Sequence, residues 1–67
     1  MLVKLGKRVK EYRIGKILSQ EELAAKANVH RTYIGMIERG EKNITITNLK
    51  KISDALEVDL SILTKNL

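Results

Sequence analysis

The sequence predicts an all-α fold, one compact domain of five short helices around an aliphatic core. Proline is absent and the four glycines are spread along the chain, which leaves helices joined by short turns. Leu, Ile, Val and Ala recur at three- and four-residue intervals, the spacing that aligns side chains on one face of a helix. With no Phe and no Trp, those aliphatic residues must also form the core. A chain of 67 residues has room for one domain and little more. It buries only about 60% of its unfolded surface, so a monomer should be of modest stability.

The first element is MLVKLGKRVKEYRIGKI. Leu2, Leu5, Val9 and Tyr12 form one apolar stripe, and Lys4, Lys7, Arg8 and Lys10 occupy the other side. A basic amphipathic helix can also serve a membrane surface or a calmodulin-like partner. Such helices usually carry Trp or Phe, and this one reads as a core-packing helix with a wet face. Gly15 weakens it by about 1 kcal/mol relative to Ala. The helix should end there, with Leu18 turning back into the core.

The second and third elements lie in SQEELAAKANVHRTYIGMIERG, from Ser19 to Gly40. Ser19 can cap a helix, and Glu22 stands three residues on, where a capping box needs its reciprocal acceptor. Leu23, Ala24 and Ala27 follow at helical spacing. Asn28 tolerates the left-handed conformation that a sharp turn demands. The next helix should start near Arg31, with Ile34 and Ile37 on its inner face and the small Ala24 and Ala27 at the crossing. Two helices so joined have the pattern of a helix-turn-helix, whose second helix enters the DNA major groove.

The segment EKNITI is a connection, and Thr45 can cap a fourth helix running to about Leu56 with Ile46, Leu49, Ile52 and Leu56 inside. Asp59 can cap a last short helix, Leu60 to Lys65, in which Leu60 and Leu63 close the core. Ile62 and Leu67 are left without an intramolecular use. Two exposed aliphatic side chains near a terminus suggest a partner surface, here a symmetric homodimer.

Thirteen Lys and Arg against eight Asp and Glu give a net charge of +5. That balance favours an anionic partner, nucleic acid first and a membrane surface second. The absence of cysteine excludes disulfides and thiolate metal sites. No apolar run is long enough to span a bilayer and no signal-peptide core is present, so a cytoplasmic location is expected. An enzyme is hard to assemble from one histidine, no glycine-rich phosphate loop and the adjacent Glu21 and Glu22, which point differently on a helix. No metal, cofactor or small-molecule ligand is expected either.

The pattern LGKRVKEYR, LSQEELAAKANV, YIGMIERG and ITNLKKISDALEVDLSILTKNL resembles the phage-repressor type of helix-turn-helix, the xenobiotic-response-element family, along essentially the whole chain. Arg13, Ser19, Gln20, Leu23, Ala24, Ile34, Glu38, Arg39 and Gly40 all fall on its register. RTYIGMIERGEKNITI, with Asn-Ile-Thr where many relatives carry Asn-Pro-Ser or Asn-Pro-Thr, is most similar to the controller proteins of restriction–modification systems. The resemblance implies a lambda-repressor-like fold and a dimeric regulator of transcription on a pseudo-palindromic duplex operator. Three positions depart from it. Ile17 replaces a usual glycine, with Gly15 two residues early; Asn28 replaces the turn glycine; and His30 stands where Ser, Thr or Asp usually caps the recognition helix.

Roles follow from place in the motif. Arg31 and Thr32, in the first turn of the recognition helix, can reach base edges, the arginine bidentately to guanine and the threonine methyl to thymine. Gly35 and Met36 should face outward in the next turn. Ser19 and Gln20 open a helix whose N-terminal N–H groups attract phosphate. Lys42, Asn43 and Thr45 could clamp a second phosphate, and such contacts position without reading sequence. His30 is either a solvent-facing turn residue or a phosphate or base contact. The resemblance places Tyr33 against the DNA backbone or a flexible base step and makes Arg13 with Glu38 an internal salt bridge, with Arg39 exposed or near the backbone. Two other readings share the fold: a phage-type repressor, and an antitoxin-like or adaptor module that mainly holds a protein.

Overall fold

A computed structural model describes residues 2–41 and 43–67. Five helices appear in order: α1 (Leu2–Gly15), α2 (Gln20–Ala27), α3 (Arg31–Glu38), α4 (Ile46–Leu56) and α5 (Leu60–Thr64). Helix α1 has 14 residues, about 21 Å at 1.5 Å per residue. It therefore runs the width of a body measuring 27 × 22 × 21 Å and can touch both α3 and α5. Helix α2 packs on α3 and α4, and α5 closes the base against α4 and α1.

The caps form largely as the residue types predict. Ser19 Oγ accepts from Glu22 N at 2.9 Å while Ser19 N donates to Glu22 Oε1 at 2.8 Å, completing the capping box. Thr45 Oγ1 accepts from Asn48 N at 3.1 Å and starts α4. Asn28 takes φ 57°, ψ 46° and ends α2. Asp59 holds the cap position of α5 without a side-chain hydrogen bond, and that helix ends at Thr64 rather than Lys65.

The core is aliphatic, with Leu5 and Val9 of α1, Leu23, Ala24 and Ala27 of α2, Ile34 and Ile37 of α3, Leu49, Ile52 and Leu56 of α4, and Leu63 of α5. Leu60 packs against it from one side. Tyr12 and Ile46, both expected inside, are 37% and 68% exposed. Gly6 explains the first. Its Cα lies so close to α3 that a Cβ there would overlap the Ile37 carbonyl oxygen. The buried arc of α1 is thus turned toward Gly6 and Arg13, and Tyr12 falls at its edge. In place of Ile46, Ile44 from the preceding loop packs on the core. The stripe of α4 continues instead through the fully buried Ser53, whose hydroxyl donates to Lys50 O at 2.9 Å.

The α1–α2 turn carries an unexpected strain. Ile17 adopts φ 59°, a left-handed conformation that costs an L-residue roughly 1–2 kcal/mol and suits a β-branched one least. Its side chain is 89% exposed, so no packing offsets that cost. Gly15, the glycine that could have taken the turn, is instead the last residue of α1.

Candidate nucleic-acid interface

The inner side of α3 is fixed by packing and by two polar clamps. Ile34 and Ile37 are buried. Arg13 grips Glu38 through Nε–Oε2 at 2.7 Å and Nη2–Oε1 at 3.1 Å, with side-chain exposures of 12% and 3%. The third guanidinium arm, Nη1, donates to Leu18 O at 2.7 Å, and Gln20 Nε2 donates to Glu38 Oε1 at 3.1 Å. One carboxylate therefore ties α1, the α1–α2 turn and α2 to the recognition helix. The second clamp runs to α4, where Asn48 Nδ2 donates to the Tyr33 hydroxyl oxygen at 3.1 Å. Asn48 was not apparent as a site residue in the sequence. Its signal was a place three residues after the cap Thr45, where its backbone meets the cap and its side chain is left for Tyr33.

The outer side of α3 is polar. Arg31 and Thr32 are exposed in the first turn, and Met36 is half-buried. Among the described residues Arg31 makes no ion pair. Gly35, expected to face outward, is buried. The side chains of Arg39 and Gln20 cover it, so it offers no surface of its own to a base. Arg39 is exposed and pairs with Glu41 through Nε–Oε2 at 3.0 Å.

His30 is exposed at the turn before α3, as a solvent-facing turn residue would be. It caps α3, with Nδ1 accepting from Thr32 N at 3.2 Å. An accepting Nδ1 bears no hydrogen, so the neutral ring carries it on Nε2. The flanking anchors differ in what they leave available. Ser19 uses its oxygen as an acceptor and keeps its O–H to donate. Gln20 turns its amide nitrogen inward to Glu38, so its contribution to a phosphate would come from the backbone N–H of the helix start. Glu22, beside it, is held below the ordinary glutamate range by hydrogen bonds from the Ser19 backbone and side chain. Asn43 and Thr45 are exposed beyond the other end of α3; Lys42 lies outside the described residues.

At the opposite end of the chain α5 presents Ile62, 40% exposed, and the tail presents Leu67, 38% exposed. Cations of α1 fasten this end. Arg8 Nη1 donates to Leu63 O and Lys4 Nζ to Asn66 O, both at 3.2 Å. Among the described residues no helix is long and apolar enough to cross a membrane, and no cluster of three metal-ligating side chains occurs.

Known proteins share this fold. The helix-turn-helix family model (HTH_3) matches residues 9–63. Control protein C.BamHI of Bacillus amyloliquefaciens is 48% identical over 54 residues, which are 79% of this chain and 67% of that one. The crystal structure of the restriction–modification controller protein C.AhdI from Aeromonas hydrophila superposes with a TM-score of 0.91 at 42% identity, covering 92% of this chain and 94% of that one. SinR, a master regulator for biofilm formation solved in complex with DNA, superposes with a TM-score of 0.87 at 40% identity over 91% of this chain and 98% of that one. The corresponding transcriptional regulator of Bacillus subtilis is 42% identical over 60 residues, 88% of this chain and 54% of that protein. The chain belongs to the helix-turn-helix family, and within it resembles the restriction–modification controller proteins.

Proposed function

We propose that this chain is a sequence-specific DNA-binding regulator of transcription, of the restriction–modification controller kind, acting in the cytoplasm as a symmetric homodimer on a pseudo-palindromic operator. It performs no chemical step of its own. The observation that carries the reading is the contrast between the two sides of α3. Its inner side is pinned by Arg13–Glu38 and Tyr33–Asn48, while Arg31 and Thr32 stand exposed at its start. A rigidly held helix with exposed donors in its first turn is suited to placing those donors on base edges.

Arg31, Thr32 and Met36 read bases in this account. Ser19, the backbone of Gln20, Tyr33, Asn43, Thr45 and Lys42 meet phosphates, which position the protein and make binding salt-dependent. His30 serves as the cap that presents Arg31 and Thr32. The exposed Ile62 and Leu67 join two copies. One recognition helix contacts too few base pairs for useful discrimination across a genome, and a two-fold pair doubles the contacts. Half-site centres should lie about 34–36 Å apart, one turn of B-DNA.

Selection of bound sequences from random duplex DNA tests this directly. An inverted repeat with half-sites one helical turn apart is the expected return. An asymmetric motif, or no enrichment over input, would contradict the reading and favour an adaptor role in which the fold holds a protein.

A further inference from the structure

We propose that Arg39 is a second sequence-reading arginine, that the missing side chain of Gly35 sets where its guanidinium lies, and that Glu41 suppresses its attraction to phosphate. This rests on the reading of α3 as the DNA-contacting helix. Arg31, Gly35 and the C-cap residue Arg39 are four residues apart, so they follow one another on one face of α3 and its C-terminal end. A long side chain on a helix leans toward the N-terminus and covers the turn before its own Cα. Arg39 does this. Its Nη1 lies 3.1 Å from where a Cβ on residue 35 would stand, and Gln20 Oε1 lies 3.7 Å from the same point.

Gly35 therefore lies beneath the Arg39 guanidinium and the Gln20 amide oxygen, both of which occupy the space its side chain would need. Gln20 is held in that pose because its amide nitrogen is bound to Glu38. Glu41 meets Arg39 at Nε, which leaves Nη1 and Nη2, the parallel pair of donors that matches guanine O6 and N7. The carboxylate also neutralises the guanidinium as seen from a distance. Arg39 then adds little to general attraction toward the phosphate backbone, and its hydrogen-bond donors act at contact. The ion pair is exposed on both sides, 56% and 56%, so it is weak enough to yield as the groove closes over it.

The test measures affinity of the full chain for the selected operator, for its single base-pair variants and for random duplex, each at several salt concentrations. Arg39→Lys keeps the charge and loses the fork. It should lose roughly 10- to 100-fold discrimination at one base pair per half-site, a different pair from the one read by Arg31, with random-duplex binding unchanged. Gly35→Ala favours the helix and displaces the guanidinium. Its loss should fall at the same base pair, and the double variant should be no worse than either single one. Glu41→Gln should tighten binding to random duplex and steepen its salt dependence. Equal losses on operator and random duplex for Arg39→Lys would make Arg39 a phosphate contact and overturn the proposal. So would parental discrimination in that variant, a Gly35→Ala loss at another base pair, or no change in Glu41→Gln. Arg31→Ala is the control that separates the two levels. If it flattens its own base pair while Arg39→Lys changes nothing, only the present proposal falls; if neither variant alters discrimination, α3 is not the reading helix and both fall.

Discussion

Helices α3 and α5 both fix one side to the core and turn another to solvent, with opposite chemistry. On α3 and its C-cap the outward residues are Arg31, Thr32 and Arg39, hydrogen-bond donors and charge. Near α5 they are Ile62 and Leu67, aliphatic and without polar atoms in the side chain. Charged donors retain their value against an anionic polymer that brings its own acceptors. Exposed aliphatic groups gain only when another apolar surface removes them from water. On the proposed reading, that difference gives duplex DNA to one helix and a second copy of the chain to the other. The inward anchoring differs too. An ion pair and hydrogen bonds lock α3 in orientation, whereas the buried Leu63 and the Arg8 and Lys4 contacts to carbonyl oxygens dock α5.

The largest expected effect removes that lock. Glu38→Ala leaves Arg13, only 12% exposed, without a counter-charge, at a cost of about 3–5 kcal/mol. A core of this size supplies only a few kcal/mol in all. The melting temperature should fall by roughly 12 °C or more, and operator binding with it, because both outward surfaces depend on the fold. A shift of one or two degrees in calorimetry would mean that the clamp is not what holds α3.

A smaller change should touch the reading surface alone. Arg31→Ala should cost about 1–3 kcal/mol at its cognate base pair and flatten discrimination there, with folding and self-association unaltered. Affinity titrations on operator and random duplex check this. Equal loss on both would make Arg31 a phosphate contact.

Ile17→Gly touches neither surface. It releases the left-handed strain at φ 59° and should stabilise the fold by about 1 kcal/mol, or roughly 4–8 °C in melting temperature, with operator affinity per folded molecule unchanged. A lower melting temperature would show that the exposed isoleucine makes a contact that matters to stability. The smallest effect belongs to the start of α2. Glu22 is held below the ordinary glutamate value of 4.5 by the Ser19 hydrogen bonds, so its stabilising contribution is full above that pH and is lost as the pH falls through the lowered value. Glu22→Gln retains an acceptor without the charge. Its stability deficit against the parent should therefore be constant near neutrality and vanish in acid. A deficit that persists in acid would place its cause outside the carboxylate charge.

The contrast between two turns shows how far the sequence could be followed. At Asn28 residue type and backbone agree, and the left-handed turn was predictable from the asparagine alone. At Ile17 they conflict, because the geometry needed to bring Leu18 back to the core is imposed by the whole packing rather than by the residue that adopts it. The same limit applies elsewhere. Helical spacing identified Leu5, Val9, Ile34, Ile37 and Leu63 as core, but Tyr12 and Ile46 satisfied the spacing and lie outside, since spacing does not say how far a buried arc extends. For the interface, the motif placed Arg31 and Thr32 on the exposed start of α3 and paired Arg13 with Glu38. It did not show Gln20 bound to Glu38 or Gly35 beneath Arg39, because each depends on a rotamer chosen by a neighbour from another turn or helix.

The division of labour between α3 and α5 is tested most directly by sedimentation equilibrium of Ile62→Asp beside the parent, with binding measured to a full operator and to a lone half-site. Ile62 is 40% exposed, so a charge there should leave the fold intact. The expected result is a parent dimer at tens of micromolar, a folded monomeric variant, and operator binding reduced in the variant to the level of the half-site. A parent that is monomeric at that concentration and binds the half-site as tightly as the full operator would contradict it.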